Sequence, residues 1–176
     1  MSKLKQVFIA ATRQNDGKTI VSLGLLSGFL DRFSSVGYMK PIGQQYKEIE
    51  NKKVDKDAYL MKETYGLPEP LSDMNPIAVY QGFTEHYIKN KPKKKLRNKI
   101  SAAHTRLIKG KEFVLIEGTG HAGVGSVLDL SNAEVSLQLG TKVILVTIGG
   151  IGRPIDEILL NKALFDQKGV ELIGVI

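Results

Sequence analysis

The sequence predicts an α/β fold, a mostly parallel sheet with helices on both faces, stacked in three layers. Two observations carry that expectation. Short β-prone runs alternate with longer helical segments, as in successive βαβ units. Several of these runs are continuously apolar instead of alternating, the pattern of strands covered by helices on both sides. The chain of 176 residues suits one well-filled domain, expected over residues 1–176.

In order, the first strand is Gln6 to Ala10 (QVFIA). A helix over Lys18 to Phe33 follows, because Val21, Leu25, Leu26 and Phe29 fall on one stripe at helical spacing. Gly37 to Lys40 (GYMK) is the second strand and Lys56 to Tyr65 the second helix. The stretch from Gly66 to Pro92 holds Pro68, Pro70, Pro76 and Pro92, which break any long element and mark an excursion from the sheet. A helix over Lys99 to Lys109 leads to the strand Phe113 to Glu117 (FVLIE), and a helix over Asn132 to Leu139 leads to the strand Lys142 to Thr147 (KVILVT). The last helix, Pro154 to Gln167, opens on a proline tolerated in a first turn, carries Asp156 and Glu157 near its positive end, and closes near Gly169. Glu171 to Ile176 (ELIGVI) is a core-type strand with no polar tail after it, so the chain is expected to be the N-terminal part of a longer protein.

Composition narrows the chemistry. There is no cysteine, which removes disulfides, thiolate metal sites and thiol nucleophiles and fits a cytoplasmic address. No stretch approaches the roughly 20 apolar residues of a membrane span, and no signal peptide is read at the N-terminus. The formal charge of +7 is largely local, since Lys89, Lys91, Lys93, Lys94, Lys95, Arg97 and Lys99 crowd one stretch. Only Tyr87 lies nearby, without the interleaved aromatics of a nucleic-acid surface, so the run reads as a solvated face and no nucleic-acid partner is expected.

The chemistry concentrates after the first strand. Thr12, Arg13, Gln14, Asn15, Asp16, Gly17, Lys18, Thr19 and Ile20 join an apolar strand to an amphipathic helix, the setting in which a phosphate-binding P-loop works. Backbone N–H groups at the helix start present donors to an anion, and the helix dipole favours negative charge there. Gly17 allows close approach of phosphate, Lys18 can reach the β- and γ-phosphates, and Thr19 can place its hydroxyl on Mg²⁺. The usual first glycine of the pattern is replaced by Thr12. Arg13 is either a surface arginine or a group reaching a partner's phosphates across a dimer.

Four motifs in order resemble the dethiobiotin synthetase-like group of P-loop NTPases. They are the loop ending in Gly17-Lys18-Thr19, then Tyr38-Met39-Lys40-Pro41-Ile42, Asp55-Lys56-Asp57-Ala58, and Val114-Leu115-Ile116-Glu117-Gly118-Thr119-Gly120. The resemblance spans nearly the whole chain and implies a P-loop NTPase-type fold, ATP and Mg²⁺ as ligands, and a possible homodimer. It implies Mg²⁺ ligation by Thr19, Asp57 and Glu117, with Asp55 a rival to Asp57, for which a helix-capping or first-turn carboxylate is the alternative reading. It also implies that Lys18 and Lys40 are catalytic, Lys40 holding the carboxylate or carbamate of a small anionic substrate and the transferred phosphoryl group. Gly43, Gln44 and Gln45 depart from the hydroxyl-bearing stretch that follows the corresponding lysine in dethiobiotin synthetases.

The expected function is a Mg-ATP-binding domain of a carboxylate-activating ligase. The alternative is a nucleotide-sensing regulatory domain like those fused to some phosphate acetyltransferases. Gly149-Gly150-Ile151-Gly152 could line the same crevice or form a tight turn, and His121 is the one histidine expected near the site, with His86 and His104 ordinary positions.

Overall fold

The computed structural model describes residues 4–49, 51–90 and 93–176. In chain order, β1 (Lys5–Ala11) leads into α1 (Lys18–Arg32) and β2 (Val36–Met39), after which come the short β3 (Ile42–Gly43), β4 (Tyr46–Ile49) and β5 (Lys52–Asp55). Next are α2 (Lys56–Tyr65), α3 (Leu71–Met74), β6 (Ile77–Ala78), α4 (Phe83–Asn90) and α5 (Lys93–Leu107). The chain continues through β7 (Phe113–Glu117), a 3₁₀ turn (Ser126–Leu128), α6 (Asn132–Gln138), β8 (Lys142–Val146), α7 (Arg153–Gln167) and β9 (Leu172–Val175).

Five strands form the parallel central sheet in the order β2-β7-β1-β8-β9, and helices cover it to give a three-layer α/β fold. Phe8, Ile9, Val114, Leu115, Ile116, Val143 and Leu145 are fully buried in its central strands, as their continuous apolar runs predicted. From β1 the chain moves outward to β2 on one side and later to β8 and β9 on the other. The sheet order therefore reverses at β1, and the crevice beyond the carboxyl ends of β1 and β7 is where ligands bind in such sheets. α1 buries Leu26 completely, while Val21, Leu25 and Phe29 pack on the core from its edge, and Phe29 lies 4.0 Å from the Phe113 ring. Burying one such aliphatic or aromatic side chain contributes roughly 1.5–3 kcal/mol.

Several elements were not expected from the sequence, among them the short β3, α3, β6 and α4, and two differences stand out. The helix expected from Lys99 begins at Lys93, because lysine and arginine are good helix formers even where no apolar stripe announces the turn. The second is the antiparallel hairpin β4-β5, whose exposed residues carry no clean alternation. Asn51 at its tip adopts φ 61°, a left-handed conformation that asparagine tolerates. In the proline-broken excursion, β6 pairs with β3 as a two-residue parallel ribbon; Pro92 lies outside the described residues. Among the described residues, no helix is long and apolar enough to cross a membrane.

Candidate functional site

α1 starts on Gly17, whose φ of 88° favours glycine, and no side chain caps its first turn. The contrast with α2 and α6 is informative, since Asp55 and Ser131 cap those helices by accepting from the backbone N–H of Asp57 and Glu134. At α1 no side chain takes that place, which is the arrangement that receives an anion. A cavity of ≈ 250 Å³ opens in front of it, lined by Gln14, Asn15, Gly17, Lys18, Thr19 and Ile20 from the loop and helix start. The facing wall is Lys40, Asp55, Asp57 and Glu117, with Gln44, Gln45 and the segment 118–120 at its edges.

Thr12, Arg13 and Asp16 do not line this cavity and instead brace the loop from behind. Thr12 Oγ1 donates to Asp16 Oδ2 at 2.7 Å and lies 3.0 Å from Thr147 Oγ1. Arg13 is held by Asp16 at 3.5 Å and by Glu157 at 3.1 Å, both within the same chain. His121 lies with Thr12 and Asn161 around a separate recess next to α7, and the glycine loop 149–152 lies outside the crevice, with Ile151 97% exposed. Lys94, Lys95 and Lys99 are exposed on α5, as a solvated face requires.

The centre of the site is Lys40, just beyond the end of β2 and 5% exposed. Its Nζ is bonded to Asp57 and lies 3.2 Å from both Asp55 Oδ1 and Glu117 Oε1. Burial alone would lower the pKa of this ammonium, but the three carboxylates, Glu117 foremost, outweigh it and hold it above the ordinary lysine value. Lys18 is lowered instead, because its burial outweighs the opposing pull of Glu117. Glu117 is fully buried and receives a hydrogen bond of 3.0 Å from the Tyr38 hydroxyl and one of 3.4 Å from Thr19 Oγ1. Burial, then the neighbouring Glu117, raises the Tyr38 phenol well above its usual range, so Tyr38 remains a donor.

The two aspartates divide their tasks. Asp55 caps α2, accepts from Gln45 N–H at 3.2 Å and is 1% exposed; Asp57, in the first turn, turns its carboxylate to Lys40. Gly43 makes this possible, since a Cβ there would overlap the Asp55 side chain.

Three buried asparagines that the sequence reading did not single out fasten the surrounding loops. Asn75 donates to the Lys40 carbonyl at 2.8 Å and accepts from Asp55 N–H at 3.0 Å. Asn132 pairs with both the N–H and the carbonyl of Thr119 and also donates to the His121 carbonyl. Asn161 joins the Thr12 carbonyl to the Ala122 N–H. An asparagine beside apolar helix residues, as at Asn132 and Asn161, is the only sequence signal that could have marked them.

Among the described residues, no group of carboxylates and imidazoles is arranged to hold a metal ion by itself, because the acids converge on an ammonium. The donor set nonetheless fits Mg²⁺. Thr19, Asp57 and Glu117 offer hard oxygens beside a phosphate-type loop, and Mg²⁺ is usually held by one or two carboxylates, substrate phosphates and water. The acids Asp55, Asp57 and Glu117 also outnumber Lys18 and Lys40, so the formal charge of this group leaves room for a cation.

Similarity to known proteins covers the chain from end to end. It is 28% identical over 171 residues to the ATP-dependent dethiobiotin synthetase BioD of Methanococcus vannielii, covering 97% of this chain and 77% of that one. The BioD of Clostridium kluyveri is 25% identical over 180 residues, covering 98% and 73%. The phosphate acetyltransferase of Synechocystis sp. is 24% identical over 177 residues, a match covering 97% of this chain and 24% of that enzyme. Among solved structures, the chimerical protein CapA2B2 superposes with a TM-score of 0.62 at 13% identity, covering 99% of this chain and 75% of that one. The kinase domain of the Escherichia coli tyrosine kinase ETK gives 0.55 at 16% identity, covering 98% and 66%; both share the fold. With the model of an AAA domain family matching residues 5–176, the chain belongs to that family, as a P-loop NTPase of the dethiobiotin synthetase-like kind.

Proposed function

We propose that this chain is the Mg-ATP-binding domain of an ATP-dependent ligase that activates a carboxylate-type substrate. One observation carries the reading: an uncapped, glycine-started helix with Lys18 and Thr19 faces Lys40, Asp57 and Glu117 across a single crevice. The similarity to the two BioD enzymes supports the ligase class.

In this reading the N–H groups at the start of α1 and the Lys18 ammonium receive the phosphates. Thr19, Asp57 and Glu117 are the residues that would hold Mg²⁺, which when bound neutralises phosphate charge. Lys40 presents a positive charge to the substrate carboxylate or carbamate and to the phosphoryl group passing to it. The chain's contribution is positioning and charge neutralisation, the main requirements of phosphoryl transfer. Tyr38 keeps Glu117 oriented, and Asn75 keeps Lys40 and Asp55 in register.

Calorimetry with MgATP is expected to give saturable binding that Lys18→Ala abolishes and Lys94→Ala leaves intact; equal affinities in the two variants would refute the site. Phosphate release is expected to rise when 7,8-diaminopelargonate and bicarbonate are added. ATP binding without any substrate-dependent release would favour the second reading, a nucleotide-sensing domain, for which the similarity to the Synechocystis phosphate acetyltransferase speaks.

A further inference from the structure

A second cavity, of ≈ 440 Å³, lies on the far side of β5 from the crevice. Its walls come from β5, the α3-to-β6 segment, the start of α4 and α5, and its interior is apolar, with Val54 and Ile77 buried and Phe83 half-buried. Tyr80 and Phe83 meet edge to face with ring centroids 5.3 Å apart. Lys52, Lys53 and Lys99 contribute the charges, and among the described residues no aspartate or glutamate lines the cavity. Among the described residues, no carboxylate pairs with any of these lysines, and Lys53 Nζ rests 4.0 Å from the centre of the Tyr80 ring instead.

This combination differs from an ordinary basic surface in two respects. The lysines border a concavity with apolar walls, and one is already placed over an aromatic face. Three ammonium groups around an apolar recess, none with a carboxylate partner among the described residues, complement a small molecule with a negative head and an apolar body. Lys52, Lys53 and Lys99 stand at the border of an apolar concavity, a setting that suits a small ligand with an apolar body better than an extended polyanion. We infer that this cavity is a second small-molecule site, taking an amphipathic monoanion such as a medium-chain carboxylate. Lys53 and Lys99 engage the anionic head, and Phe83, Val54 and Ile77 receive the body. The site is back to back with the nucleotide crevice, because Asn75 lines it and also bonds Lys40 and Asp55. It does not depend on the ligase reading.

The test uses the whole chain and the fluorescent sulfonate 8-anilino-1-naphthalenesulfonate. Saturable one-to-one binding is expected, displaced by octanoate but neither by acetate nor by octylammonium. The double variant Lys53→Glu, Lys99→Glu should bind the probe at least about tenfold more weakly, a loss of about 1.4 kcal/mol, while keeping the wild-type far-UV circular dichroism and a cooperative thermal transition. Lys18→Ala, which alters only the nucleotide crevice, should bind it like the wild type. Unchanged affinity in the double variant, loss of binding in Lys18→Ala, or displacement by acetate as effective as by octanoate would each overturn the assignment.

Discussion

A buried lysine among three carboxylates is a costly placement unless every charge is answered, and Lys40 meets that condition only jointly with Asp55, Asp57 and Glu117. The arrangement suits a site that must hold an anion close to acids, since the ammonium shields substrate charge from the carboxylates that face a cation. Its cost should be visible in stability. Lys40→Met preserves the apolar stem but leaves the buried Asp55 and Glu117 without their ammonium, and removing one partner of a buried pair costs about 3–5 kcal/mol. Urea unfolding should report a loss of that order, partly recovered when Asp55→Asn is added. Additive losses in the double variant would mean that the two groups are not coupled. Lys40→Arg should not restore the wild type, because a planar fork cannot reproduce a point charge shared by three acids.

At the scale of elements, site geometry depends on how helices begin. α6 opens with a capping box in which Ser131 Oγ accepts from Glu134 N–H at 3.1 Å and Glu134 Oε2 accepts from Ser131 N–H at 3.1 Å. That box sets the position of Asn132, which holds the Thr119 backbone in the loop after Glu117. Burial would raise the Glu134 pKa, yet the bonds from Ser131, together with Lys168 and Arg97, bring it below the ordinary value. A depressed carboxylate stabilises the fold above its unfolded pKa, about 4.3, and that contribution disappears as pH falls through the lower folded value. Glu134→Gln should therefore cost about 1 kcal/mol near neutrality, a cost that shrinks as pH falls below about 4, read as the difference in urea midpoints from the wild type. A difference that persists in acid would assign the effect to packing instead. The central strands were legible in the sequence because burial on both faces writes an unbroken apolar run, and the P-loop because a glycine and a lysine must sit between strand and helix. The hairpin β4-β5 was not, since its solvated residues are free of the constraint that makes a pattern. Nor were Asn75, Asn132 and Asn161, whose buried bonds join positions far apart in sequence, Asn161 reaching Thr12 across 149 residues.

Across the whole molecule, the crevice is assembled from segments that touch only because the sheet brings them together: the loop after β1, the end of β2, the first turn of α2 and the end of β7. The pairing of β1 with β7 places Ile9 opposite Glu117, which carries the acid to the mouth of the phosphate loop. Lys40 follows β2 directly, whereas Asp57 arrives through the β3-to-α2 excursion, and Asn75 joins the two by donating to the Lys40 carbonyl and accepting from the Asp55 N–H. A ligand contacting both walls thus ties the excursion to the sheet, and it binds the folded state alone. MgATP at about 100 times its dissociation constant should then stabilise the fold by about 2.7 kcal/mol. For a domain of this size each kcal/mol moves the thermal midpoint by about 2–4 °C, so a rise of about 5–10 °C is expected. Lys18→Ala should remove the rise by removing phosphate contact, while Lys94→Ala, on the exposed face of α5, should retain it. Chelating the Mg²⁺ should shrink the rise without eliminating it if Lys18 and the start of α1 hold part of the phosphate charge themselves. A midpoint unaffected by MgATP at saturating concentration would mean that the two walls are not joined by a nucleotide, and the crevice would need another ligand.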